Sequence, residues 1–192
     1  MAVLIAGLIL FIGVHSMRIV AEGGRTALLA RFGEAKYKIA YGLLSLAGLI
    51  LIGNGYERAY GEAGVFWTPP TATRHLALLL VPIGFVLVVA SYVPTGRIKA
   101  AVGHPMILGI GFWAFAHLIA NGATASVVLF GAFFFWAVFD YGASVSRDRR
   151  NGVVLQPVGA RGDGLAIVIG LGASLAFIFW LHLWLVGVSP IG

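Results

Sequence analysis

Residues 104–122, HPMILGIGFWAFAHLIANG, form a nearly unbroken apolar run with a histidine at its head and another, His117, inside it. At ~20 residues for a helix perpendicular to the bilayer, the run is long enough to cross the hydrocarbon. A titratable side chain at membrane depth is costly. It therefore points to a function, set against the plainer role of hydrogen-bonding a neighbouring helix.

The rest of the chain belongs to the same class. Of its 192 residues, 60% are hydrophobic and 10% charged, and the mean hydropathy is +0.97. These values lie outside soluble-domain composition and inside that of a polytopic membrane protein of one domain, residues 1–192. The net charge of +6 does not imply a nucleic-acid partner, because the basic residues sit in short loops between apolar runs, where they set membrane orientation. The chain has no cysteine, which excludes disulfides, thiolate-held clusters and covalently attached haem. The first basic residue is Arg18, so the N-terminus lacks the positive region of a cleavable signal and reads as a retained first span.

Six spans are expected in an all-α bundle: Ala2–Val20, Ile39–Tyr56, His75–Val93, Pro105–Asn121, Thr124–Tyr141 and Leu165–Val188. Loop one carries Arg18, Arg25, Arg31, Lys36 and Lys38; loop three carries Arg97 and Lys99; loop five carries Arg147, Arg149, Arg150 and Arg161. Loop two carries only Arg58 and Arg74. This bias places the odd loops in the cytoplasm and both termini outside.

In loop one, Leu28, Leu29 and Phe32 alternate with Arg25, Arg31 and Lys36, as in a short amphipathic surface helix or a solvated linker. Tyr56, Tyr60, Phe66 and Trp67 read as an outer aromatic belt, with Pro69 and Pro70 making a rigid turn. Residues 144–164 read as an exposed cytoplasmic linker.

Five histidines are available: His15, His75, His104, His117 and His182. None has zinc-protease or di-iron spacing, and the carboxylates lie in loops or at span ends. Haem needs only one or two imidazoles on facing helices within a dry apolar shell. His104 and His117 stand ~20 Å apart on one helix and cannot share an iron. His104, followed by Pro105 at the first helical position, reads as a helix cap. His117 shares a helical stripe with Trp113 and Asn121 and is the ligand candidate. By depth, the second ligand falls on His182, between Trp180 and Trp184, or on His75. Depth alone places His15 toward the opposite face of the membrane.

Several short motifs carry a family resemblance. They are Phe11-Ile12-Gly13-Val14-His15-Ser16 with Arg18; Arg31-Phe32-Gly33 with Tyr37; Gly55-Tyr56; Trp67 with Pro69-Pro70; and His104-Pro105 with Trp113, His117-Leu118, Asn121-Gly122 and Phe130. On these residues the chain resembles the NnrU family of bacterial membrane proteins and, more distantly, is similar to the plant 15-cis-zeta-carotene isomerase. The resemblance implies nitrogen-oxide metabolism and, in the carotenoid branch, a haem b that supports isomerisation of a cis double bond. It also singles out His15, His104 and His117, with haem ligation on His117 and His15. That pair differs from the one favoured by depth, so His15 and His182 both stand as second-ligand candidates.

His104-Pro105 with Gly109 also resembles a segment of S-adenosylmethionine-dependent membrane methyltransferases. Here, however, Gly103 and Ile107 replace that segment's arginine and tyrosine. The expected function is a multi-pass protein of the bacterial inner membrane that binds haem b and acts on a hydrophobic or gaseous substrate. The alternatives are a non-enzymatic accessory factor for denitrification, with a membrane partner or a second copy of itself, and the methyltransferase.

Overall fold

The structure, a computed structural model, describes residues 1–191. Its elements are α1 (Ala2–Val20), α2 (Glu22–Phe32), α3 (Glu34–Glu62), α4 (Thr71–Ala90), α5 (Arg97–Val102), α6 (Pro105–Ala120), α7 (Thr124–Arg150) and α8 (Arg161–Val186). Within α8, Phe177–Leu181 is a π-helical turn. Apart from an isolated bridge between Val65 and Ala123, the regular structure among the described residues is helical.

Five of these helices, α1, α3, α4, α7 and α8, are long and apolar enough to span a membrane. The fourth expected span is the exception. α6 has 16 residues, about 24 Å of helix. It starts where Pro105 occupies the first turn, a position that has no need of the donor proline lacks. It stops where Asn121 turns to extended backbone. Sandwiched between α4 and α7, this short helix meets protein on two sides.

Other expected boundaries move for equally local reasons. α3 runs a turn or more beyond Ile39–Tyr56 at both ends. α7 continues past Tyr141 to Arg150, so residues 144–150 are helical rather than part of an exposed linker. Both Ser144 and Arg147 are buried. The true connector is residues 151–160, and it is tied down where Val158 N donates to Thr95 O at 2.8 Å. α2 is a helix, as one of the two readings of loop one expected, and Gly33 at φ 80° turns the chain sharply into α3. α5 was not visible in the sequence pattern. Gly103, at φ 71°, separates it from α6.

Each helix packs against the next in the order α3, α1, α7, α6, α4, α8, whereas α1 and α4 do not touch. Small residues set the close seams. A Cβ added at Gly7 would stand 2.6 Å from Ile52 N, and one at Gly109 would stand 2.7 Å from Gly84 O, so α1–α3 and α4–α6 approach backbone to backbone. Leu4, Leu8, Ile52, Ala59, Ala125, Leu129 and Phe130 form the core where α1, α3 and α7 meet. Tyr56 places its hydroxyl 2.8 Å from Ser126 Oγ, inside the bundle rather than in an aromatic belt. Outward faces stay apolar, as at Ile9, Leu79, Phe139 and Val168, which suits lipid as solvent.

Loop contacts mark the two ends. At one, Phe66 N donates to Gly122 O (2.7 Å) and Thr124 N donates to Gly64 O. At the other, the backbone N–H groups of Arg97 and Ile98 each donate to the Asp163 carboxylate at 2.9 Å. The second is the arginine-rich end.

Candidate functional site

His117 sits one turn from the end of α6, where a helix normally leaves carbonyls unpaired. Asn121 spends its side-chain amide on that problem: Nδ2 donates to His117 O at 2.8 Å. Its side chain thus helps to end the helix beside His117. The His117 ring lies 4.7 Å from Phe130 and 5.2 Å from Trp113, centroid to centroid. His182 faces it from α8, with centroids 6.3 Å apart and planes inclined by 18°.

Both rings are oriented from the same atom. His117 Nδ1 lies 2.9 Å from Trp113 O, and His182 Nδ1 lies 2.6 Å from Val188 O. A carbonyl can only accept, so each Nδ1 carries the proton and each Nε2 keeps its lone pair. This is how metal-binding imidazoles are usually held: one nitrogen donates to a fixed acceptor and the other is free to ligate. Among the described residues neither Nε2 has a hydrogen-bond partner.

The π-helical turn ends immediately before His182. Such turns are rare and frequently occur at functional sites. Beyond Ala176, α8 packs its backbone against no other helix, so the flanks of the imidazole pair are not closed by helix packing.

His15 lies elsewhere. It stacks on Phe11 at 4.2 Å and meets Tyr41 and Trp136, and its Nδ1 donates to Phe11 O at 2.7 Å. It is linked to His117 only through a run of rings, Phe11, Phe133 and Trp113, in successive contact at 4.2 to 5.7 Å. The structure thus brings His117 and His182 together and holds His15 apart from them. His75 is exposed near the start of α4.

His104 occupies the cap position of α6 but makes no side-chain cap bond. Its Nε2 lies 2.9 Å from Asp148 Oδ2, at ion-pair distance though not aligned for a hydrogen bond. The cap expectation therefore holds for position and not for chemistry.

His15 and His104 both line a cleft of about 750 Å³ between α1, α4, α6 and α7, with Arg25 of α2 and Tyr37, Lys38 and Tyr41 of α3 also in its lining. Its inner walls are Phe85, Val88, Ile110 and Phe133, and Trp113 is shared with the imidazole pair. Its arginine-rich end carries Arg18, Asp140, Ser144, Arg147 and Asp148. The Trp136 indole N–H in its wall is buried without an acceptor.

The polar group on α7 is not among the residues expected from sequence, although residues 140, 144, 147 and 148 share one helical face. That spacing is the signal that could have found it. The π turn has no such signal, since FIFWL reads as ordinary apolar helix.

Helices of this length and apolarity, packed through glycines and coated with exposed hydrophobic side chains, define a polytopic α-helical membrane protein. Over residues 3–190, nearly the whole chain, the sequence matches the family described as NnrU protein, and the chain belongs to that family. No curated protein and no solved structure is significantly similar to it.

Proposed function

We propose that this NnrU-family protein is an integral membrane haem b protein, with His117 and His182 as the residues that hold the iron. The observation that carries the proposal is the facing pair: two imidazoles on different helices, 6.3 Å apart, each with Nδ1 committed to a carbonyl and Nε2 free. The donor set suits haem, for which imidazole is a common axial ligand and which needs a shell that excludes water. Phe130, Trp113 and Phe177 supply that shell.

A bound haem would supply redox or double-bond isomerisation chemistry, while the chain would supply orientation, dryness and the imidazole nitrogens of His117 and His182. The carbonyls of Trp113 and Val188 fix each ring's tautomer and orientation. An apolar site suits a hydrophobic substrate or a small gas such as nitric oxide. The arginine-rich end lies in the bacterial cytoplasm, which puts both termini and the imidazole pair toward the outer face of the inner membrane.

The test is spectroscopic. Purified in mild detergent after expression with added haem precursor, the wild-type protein is expected to show a Soret band of a six-coordinate low-spin haem. His182→Ala should shift it to the five-coordinate high-spin form. His117→Ala, in the better-buried position, should lose most of the haem, and His15→Ala should leave the spectrum as it is. A wild-type protein that takes up no haem overturns the proposal. A spectrum that changes in His15→Ala and not in His182→Ala overturns the choice of ligand pair.

A further inference from the structure

Apart from Trp113 in its inner wall, the cleft at the arginine-rich end has no part in the haem reading, and its positive charge is only partly balanced. Arg147 is only 9% exposed, yet its side chain makes one hydrogen bond, from Nη2 to Ser144 Oγ at 2.9 Å. A guanidinium offers five donors in a rigid fork. Among the described residues no carboxylate lies within ion-pair distance of it, the two ion pairs being Lys38–Glu34 and His104–Asp148. Asp140 is reached only through Ser144, whose Oγ stands 3.4 Å from Asp140 Oδ1. The other guanidinium nitrogens of Arg147 are not sealed within the protein, so they are open to a ligand in the cleft.

Arg18 and Arg25 also line the cleft, against the carboxylates Asp140 and Asp148. Lys38, also in the lining, is paired with Glu34, so three guanidinium groups face two carboxylates, which leaves room for one further negative charge. Away from this end the walls are apolar. Along α7 the cleft runs from Phe133 to Asp148, about 22 Å of helix. α1 and α4 do not approach each other backbone to backbone, so only side chains stand between them on that side of the cleft.

We propose that the cleft binds a long-chain monocarboxylate taken sideways from the bilayer, its head on Arg147 with Arg18 beside it and its chain along Phe133, Phe85 and Val88. Arg and carboxylate match as a bidentate pair, and a monoanion fits the single unit of excess charge. The site is separate from the imidazole pair and stands whether or not haem binds there.

The probe is cis-parinaric acid, a fluorescent long-chain carboxylate, titrated into the full-length protein in non-ionic detergent, with its methyl ester as control. Saturable binding of the acid is expected, with the ester at least tenfold weaker. Arg147→Gln and Arg18→Gln should each weaken the acid about tenfold without altering the haem spectrum. Equal affinity for acid and ester overturns the proposal, and so does wild-type binding of the acid by both variants. Should Arg147→Gln fail to fold, the acid and ester comparison on the unaltered protein still decides. Tighter binding of dodecyl phosphate than of the acid would overturn the monoanion assignment. Loss of the Soret band on adding the acid would overturn the separation of the two sites.

Discussion

Asp163 shows how one side chain can join two distant loops. It sits in the first turn of α8, where a negative charge is favourable beside the helix N-terminus. Its two oxygens also take the first free N–H groups of α5, at Arg97 and Ile98. α5 starts at Gly96, which has no side chain to do this. Asp163→Ala should therefore cost about 1–2 kcal/mol, read as a lowered melting temperature in detergent. Asp163→Asn, which keeps one acceptor oxygen, should cost less; equal melting of all three proteins would show that the carboxylate does not clamp the loops. His117 could be singled out from the sequence because an imidazole on an apolar helix stands out. Arg147 could not, since an arginine beside Arg149 and Arg150 reads as one more loop charge.

Elements were legible where hydrophobicity alone draws the boundary. α1 coincides with the expected Ala2–Val20, because an apolar run there meets Arg18 and ends. Asp140, Ser144 and Arg147 look like the start of a loop around Tyr141; they form the polar face of a continuing helix, on which Ser144 and Arg147 are buried. α6 has the composition of a full span, but its 16 residues fall short of the ~20 that a perpendicular span needs, and neighbouring helices flank it on two sides. α5 escaped notice since one and a half turns of RIKAAV carry no readable period. The pairing of helices, with α1 against α3 and α4 against α6, lies in glycines such as Gly7 and Gly109, whose partners sequence cannot name.

For the whole molecule, the two sites stand at opposite ends of the bundle, the imidazole pair near the Gly122 end and the cleft at the arginine-rich end. The charge bias orients this axis, and the chain's lack of cysteine makes the orientation easy to test. A cysteine in place of Gly61, exposed at the end of α3, should react with a membrane-impermeant maleimide in intact cells. A cysteine in place of Asn151, exposed at the end of α7, should react only after permeabilisation. The opposite pattern would invert the protein in the membrane.

The π-helical turn at Phe177–Leu181 makes the last helix sensitive to counting rather than to chemistry. An α-helix advances about 100° per residue, and a π turn already holds one residue more than an α turn. Deleting Ile178 and letting the turn relax to α geometry should therefore leave His182 facing His117 and the haem spectrum close to that of the wild type. Inserting one alanine after Ile178, a second extra residue, should rotate His182 away by about 100° and change the spectrum as His182→Ala does, even though every side chain proposed to hold the iron is still present.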